Sequence, residues 1–78
     1  MHLPRGVVVV TQGDLVGRVQ KVLTENRRSV NFYEPKTGRF LCREFDVELL
    51  READEEDEAR LKRLAIEHNR KLAETLTH

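Results

Sequence analysis

Hydrophobic and polar residues alternate along the first part of the chain and change to a helical spacing near its end. Residues 5–11 form a short segment in which β-branched side chains dominate, and residues 15–24 are rich in valine. In residues 28–34, Val30 and Phe32 fall on one face of a strand, because successive strand residues point to opposite sides. The first half of the chain therefore predicts short β-strands.

Turn signals separate these predicted strands. Pro35 presets the φ angle of a turn, and Gly38 supplies the left-handed residue that closes a hairpin before a return strand over residues 39–44. Gly17 lies inside the second strand, where a glycine often marks a bulge or a tight bend. Residues 45–47 predict a tight turn and residues 48–50 a short closing strand.

Five short strands within fifty residues predict a small closed antiparallel barrel, because closure removes the free edges of an isolated sheet. The strand pattern also predicts which side chains fill its interior. They are Val8, Val10, Val16, Val19, Val22, Val30, Phe32, Phe40 or Leu41, Val47 and Leu49.

Residues 54–76 predict one amphipathic helix. They contain no glycine or proline, and good helix formers dominate. Asp54 is the predicted N-cap. At 1.5 Å per residue such a helix is about 35 Å long, so it must overhang a barrel of this size, pack on a partner or fray. Its apolar stripe predicts a partner-facing surface formed by Leu61, Leu64, Ala65, His68, Leu72 and Leu76. The chain thus divides into a barrel over residues 1–52 and a helix over residues 53–78.

The predicted barrel carries a recognisable spacing of glycine and valine. From Gly13 to Val22 the pattern is Gly-x-x-x-Gly-x-Val-x-x-Val, and it is followed by Val30-Asn31-Phe32 and later by Leu49. This pattern resembles the SH3-like barrels of the KOW and Tudor type over about residues 5–51. Such barrels occur in ribosomal proteins, transcription elongation factors and DNA helicases. The resemblance implies a binding module that docks to nucleic acid or RNA polymerase.

Composition limits the range of functions. Seventy-eight residues form one small domain, and the single cysteine excludes an internal disulfide framework. The longest apolar run is too short for a membrane span or a signal-peptide core, so we expect a cytoplasmic protein without membrane contact. Zero net charge argues against a general nucleic-acid coat protein. The two parts of the chain differ in charge, however. Residues 1–50 have eight basic and six acidic side chains, whereas residues 51–78 have six basic and eight acidic ones.

Basic side chains on the predicted barrel form a candidate phosphate-binding face, with an aromatic side chain among them as a stacking platform. The face consists of Arg18, Lys21, Arg27, Arg28, Tyr33, Lys36, Arg39 and Arg43. The alternative interpretation is an ordinary solvated surface, which Glu25, Glu34 and Glu44 neutralise.

Residues with catalytic chemistry are sparse. The sequence contains no paired-carboxylate motif, no Ser/His/Asp set and no phosphate-cradling glycine loop. Its three histidines and Cys42 make no metal-ligand spacing, and we expect Cys42 to be a half-buried structural residue. The sequence therefore predicts a non-enzymatic protein with no metal, no cofactor and no small-molecule substrate.

Two functions follow from these observations. The first is a small binding module or regulator that docks through its basic face to nucleic acid, or to an acidic surface of the transcription, translation or DNA-handling machinery. The second is a protein–protein adaptor or a homodimer that uses the C-terminal helix and binds no nucleic acid. The positive charge excess on the barrel is slight, whereas dedicated nucleic-acid binders carry a clearer positive excess. The charge therefore favours the adaptor or homodimer somewhat.

Overall fold

The computed structural model describes residues 3–76, and it contains five β-strands, one 3₁₀ turn and one α-helix. In chain order these are β1 (Val8–Thr11), β2 (Val16–Thr24), β3 (Arg27–Glu34), β4 (Arg39–Asp46), the 3₁₀ turn (Val47–Leu49), β5 (Leu50–Glu52) and α1 (Glu55–Leu76). The predicted fold class, mainly β with one C-terminal helix, is confirmed.

All five strands belong to one antiparallel sheet with the order β4-β3-β2-β1-β5. Side chains from the central strands and from both ends of the sheet meet in a single interior cluster, so the sheet curls around its core. The buried members of this interior cluster are Leu3, Val9, Val19, Val30, Phe32 and Leu50, with Leu41 and Phe45 of β4 packed against them. The rings of Phe32 and Phe45 make an edge-to-face contact at 5.6 Å.

The valine run of β1 is buried on both faces of the sheet. Val9 points into the interior cluster, whereas Val8 and Val10 point outward and pack with Val16 and Leu61. Because Leu61 belongs to α1, the helix covers this outer apolar patch. The helix therefore packs on the sheet of its own chain.

Reciprocal hydrogen bonds fasten the start of the helix. The Asp57 N–H donates to Asp54 Oδ1 at 2.8 Å, and the Asp54 N–H donates to Asp57 Oδ2 at 3.3 Å. This arrangement confirms Asp54 as the N-cap, and its reciprocal hydrogen bonds are those of a capping box. Arg51 at the end of the sheet donates to the same Asp57 carboxylate at 2.8 Å, and this hydrogen bond lowers the pKa of Asp57.

Only the first part of the helix lies on the sheet. Leu61 is buried, Leu64 packs against the same cluster, and Arg60 donates to the carbonyl and carboxylate oxygens of Asp14 in the β1–β2 turn. Further along, Leu72 is 50% exposed. The helix overhangs the sheet, and the molecule is 45 Å long but only 24 and 21 Å in its other dimensions. No helix in the described part of the chain has the length and apolar content needed to cross a bilayer.

The end of the sheet differs from the sequence-based prediction. Strand β4 continues to Asp46, the turn occupies Val47–Leu49 and the closing strand is Leu50–Glu52. Consequently Leu50 enters the interior, and the prediction of a buried Leu49 is wrong because that side chain is 40% exposed. The prediction of a buried Val22 is also wrong. Val22 is 51% exposed because it lies near the β2–β3 turn, where register shifts carry β2 past the core.

Two glycines serve different purposes in the sheet. Gly38 adopts a φ of +67° in the β3–β4 turn, as the hairpin prediction requires. Gly17 does not mark a bulge, because the register shifts of β2 come later, between Val19 and Lys21 and between Val22 and Thr24. It permits close approach instead, since a Cβ atom there would lie 2.5 Å from the Asn31 carbonyl oxygen.

A candidate binding surface beside the helix

The outer face of the sheet carries a row of side chains that begins under the helix. Strand register places Val8 beside Arg18, Arg18 beside Asn31, and Asn31 beside Cys42. Directly opposed residues of antiparallel strands project to the same side. The row therefore runs from the patch that the helix covers, across β2 and β3, to β4 at the edge of the sheet.

A groove separates the helix from this row and encloses about 570 Å³. Its sides combine apolar, amide and charged groups. The residues that line it are Val8, Arg18, Gln20, Asn31 and Phe40 on the sheet, and Glu58, Leu61, Lys62 and Ala65 on the helix. Glu58 contributes the one carboxylate of this lining.

Three rings lie in series at one end of the groove. Tyr33 and Phe40 stand opposite each other on β3 and β4, with ring centroids 5.3 Å apart and planes at 72°. Phe40 makes a second edge contact with His68 of α1, also at 5.3 Å. The helix and the sheet edge thus hold Phe40 between two rings, and Phe40 is the aromatic side chain that lines the groove.

A second cleft, of about 420 Å³, adjoins the groove and contains three cations. Arg5, Arg18 and Lys21 line it together with Gly6, Val19 and Gln20, and among the described residues no acidic side chain does so. Arg18 is oriented by a hydrogen bond from its Nη1 atom to the Gly6 carbonyl oxygen at 2.7 Å. Since Arg18 and Gln20 line both spaces, the cationic cleft and the groove are neighbours that share two side chains.

A small chain of polar side chains on β2, β3 and β4 includes Gln20, which lines the groove. The Cys42 thiol donates to Gln20 Oε1 at 3.0 Å, and Ser29 Oγ lies 3.2 Å from the same sulfur atom. Cys42 is exposed, so the prediction of a half-buried cysteine is wrong. The contact uses the oxygen of Gln20, and its amide NH₂ group has no hydrogen-bond partner within residues 3–76.

Arg28 does not belong to the binding surface. It is 3% exposed, and its guanidinium donates to the carbonyl oxygens of Leu3, Thr24 and Arg27 at 2.6–2.9 Å. The prediction that Arg28 belongs to the exposed phosphate-binding face is wrong, because its side chain points to the interior face of β3 and is enclosed by main-chain acceptors.

The other predicted basic residues are divided between surfaces. Arg27 is exposed but pairs with Asp46 at 3.2 Å and with Glu44 at 3.7 Å. Arg39 and Arg43 share the side of β4 that also carries Leu41, opposite to the face with Arg18. Lys36 is exposed in the β3–β4 turn, and Tyr33 is half-buried against Phe40. Of the predicted set, the structure brings together only Arg18 and Lys21.

Sequence reasoning missed two cations and the groove itself. Arg5 precedes β1, and Lys62 follows the buried Leu61 on the helix, so neither belongs to the strands from which the basic face was predicted. Lys62 was detectable in principle, because a basic residue at the margin of an apolar helical stripe lies beside whatever that stripe covers.

Burial of the predicted helix face varies along the helix. Leu61 is buried, and Leu64, Ala65 and His68 are partly buried against the sheet of the same chain, whereas Leu72 is exposed. The side chain of Leu76 lies outside the described residues. Among the described residues, no cluster of three or more histidine, cysteine, aspartate or glutamate side chains is arranged to hold a metal ion.

Comparison with known proteins adds no relative to this picture. No family model matches the chain, and neither a curated protein nor a solved structure is significantly similar to it. The resemblance to barrels of the KOW and Tudor type stays a prediction.

Proposed function

We propose that this protein is a non-enzymatic binding module that docks on the phosphate backbone of nucleic acid through its cationic cleft. Arg5, Arg18 and Lys21 supply the phosphate contacts, and Lys62 on the helix lines the neighbouring groove together with Arg18. Arginine and lysine side chains position a protein on nucleic acid in this way without reading its sequence.

The observation that carries the proposal is a local excess of positive charge in a chain with no net charge. Three arginines elsewhere are paired with a carboxylate within the fold: Arg27 with Asp46, Arg51 with Asp57 and Arg60 with Asp14. The cleft instead gathers three cations, none of which is paired with a carboxylate in the described part of the chain. A cleft lined by one sign of charge concentrates counterions of the other sign.

Three or four phosphate contacts give weak binding. The salt slope is the change in log Kd with the logarithm of the salt concentration. Each neutralised phosphate contributes about 0.7 to this slope on a single strand and about 0.9 on duplex DNA. We therefore expect a dissociation constant that is micromolar or weaker at physiological salt and that rises steeply with salt concentration.

The test compares two double variants with the same loss of charge. Arg5→Ala with Lys21→Ala removes cations from the cleft, and neither side chain forms a hydrogen bond or ion pair within residues 3–76. The matched control, Arg39→Ala with Arg43→Ala, removes two cations from the other face of the sheet. Binding is measured as fluorescence anisotropy of a labelled oligothymidine of about twelve nucleotides, over a salt series starting near 20 mM.

We expect the cleft variant to lower the salt slope by about 1.4 and the control to leave it unchanged. Equal losses in the two variants would show that the charge acts diffusely, and the cleft would not be the site. If the unmodified protein binds no oligonucleotide even at about 20 mM salt, the proposed function is wrong. Self-association or protein binding through the helix would then be the leading function.

A further inference from the structure

We infer that the groove between α1 and the sheet receives one unpaired base of a single strand whose phosphates lie in the adjoining cationic cleft. This inference rests on the proposed function and specifies its ligand. A base site in the groove would make the module selective for single strands, whereas phosphate contacts alone do not distinguish single strands from duplexes.

The adjacency of the two spaces supports this assignment. Arg18 and Gln20 line both the groove and the cleft, so a phosphate that contacts Arg18 lies where the two spaces adjoin, within reach of the groove for the base attached to it. The groove, at about 570 Å³, falls within the range of about 300–1,000 Å³ that is common for small-molecule sites.

The distribution of charge decides which part of the nucleotide enters the groove. Among the described residues, the groove is lined by two cations, Arg18 and Lys62, and by the Glu58 carboxylate, whereas the cleft is lined by three cations and no carboxylate. Glu58 offsets part of the attraction that the groove cations exert on a phosphate, so a phosphate is held more strongly in the cleft, and the largely apolar groove is left to a neutral base. The cleft, with its three cations, is accordingly the phosphate position and the groove is the base position.

The neutral groups of the groove suit a base. Phe40 offers an aromatic ring, and Leu61 and Ala65 offer apolar contact from the helix. Asn31, on the floor, has no hydrogen-bond partner for its side-chain amide within residues 3–76, and Gln20 has its NH₂ group free. Aromatic contact to the face of a base and amide contact to its edge are the two interactions by which proteins hold splayed-out bases.

A duplex cannot use this site in the same way. Its bases are paired and stacked, and extracting one costs a few kcal/mol. Duplex DNA therefore reaches only the cationic cleft. The structure predicts two levels of affinity, a lower one for any phosphate backbone and a higher one for a backbone with accessible bases.

Three labelled probes of about twelve nucleotides separate these levels: oligothymidine, an abasic strand with the same number of phosphates, and a duplex. We expect oligothymidine to bind about 5- to 150-fold more tightly than the abasic strand, which corresponds to about 1–3 kcal/mol for one stacked base. Asn31→Ala and Phe40→Leu should each reduce this ratio and leave abasic binding unchanged.

Two variants complete the design. Glu58→Gln removes the groove carboxylate. It should strengthen binding of all three probes, because the protein then carries one negative charge fewer beside a negatively charged ligand. Leu72→Ala, on the exposed overhang, is the control and should change no ratio. Thermal unfolding of each variant confirms that it is folded before binding is measured.

The outcomes distinguish the inference from the function on which it rests. Equal binding of oligothymidine and the abasic strand overturns the base site but leaves the phosphate module intact. A parallel loss of abasic binding in Asn31→Ala and Phe40→Leu also overturns it, because those residues would then support the fold and not a base. Absence of binding by every probe at about 20 mM salt overturns both proposals.

Discussion

The Nε atom of Arg28 donates a hydrogen bond to the carbonyl oxygen of Leu3, 2.7 Å away, and so ties the segment before β1 to β3. The Nη1 atom of the same side chain lies 2.6 Å from the Thr24 carbonyl oxygen and 2.9 Å from that of Arg27. A buried cation here satisfies main-chain acceptors at the β2–β3 turn, and it stabilises the fold instead of contacting a ligand.

Replacing Arg28 by alanine should lower the free energy of unfolding by about 2–4 kcal/mol, because several buried carbonyl groups lose their donors. Arg28→Lys should restore only part of the loss, since an ammonium group lacks the planar fork of donors. Arg27→Ala is the neighbouring control and should change stability by about 0.5 kcal/mol or less, as is usual for exposed ion pairs. Urea unfolding measures all three, and similar losses at both positions would contradict the buried role of Arg28.

The two ends of the helix should respond differently to truncation of a leucine. Leu61→Ala removes a side chain buried against Val8, Val10 and Val16 and should destabilise the protein by about 2–4 kcal/mol. Leu72→Ala should have an effect within about 0.5 kcal/mol, because Leu72 is half exposed. Thermal unfolding gives both values. Sedimentation of the Leu72 variant adds a second result: a fall in mass would reveal self-association through the overhang.

Gly17 should tolerate no side chain. The Cβ atom of alanine would lie 2.5 Å from the Asn31 carbonyl oxygen and 2.8 Å from the Phe32 Cα atom, so the backbone of β3 would have to move. We expect Gly17→Ala to destabilise the protein by about 1–3 kcal/mol or more. Gly13→Ala is the matched control, since its Cβ atom would meet nothing closer than Thr11 Oγ1 at 3.9 Å. Denaturation midpoints that coincide for the two variants would refute the close approach of β2 and β3.

The ion pair at the start of the helix should make stability depend on pH. The hydrogen bond from Arg51 is the main cause of the lowered pKa of Asp57, which also accepts a hydrogen bond from the Asp54 N–H. A carboxyl group with a depressed folded-state pKa stabilises the fold above its unfolded pKa, and this stabilisation disappears as the pH falls through the folded-state value. The stability difference between the unmodified protein and Asp57→Asn should be constant near neutral pH and shrink below about pH 4. A difference that stayed constant down to about pH 2 would show that Asp57 titrates normally.

Local patterns in the sequence determined the elements and their order. The alternation around Val30 and Phe32, the turn with Pro35 and Gly38 and the cap at Asp54 are each specified within a few residues. Steric preferences, side-chain alternation and capping act over that distance. Five strands followed by one helix could therefore be predicted without knowledge of any distant contact.

The tertiary structure alone decided which faces these elements bury and which side chains meet. A run of valines has no polar side, so the sequence could not show that Val9 faces the interior while Val8 lies under the helix. Charge is likewise uninformative about surroundings: Arg28 and Arg27 are adjacent in the chain, yet main-chain carbonyl groups enclose Arg28, whereas Arg27 lies at the surface and pairs with Asp46. The cationic cleft joins Arg5, which precedes β1, to Lys21 of β2, and the groove joins Phe40 of the sheet to Lys62 of the helix. Such sites depend on the curl of the sheet and the seating of the helix, which are long-range packing outcomes that no local pattern encodes.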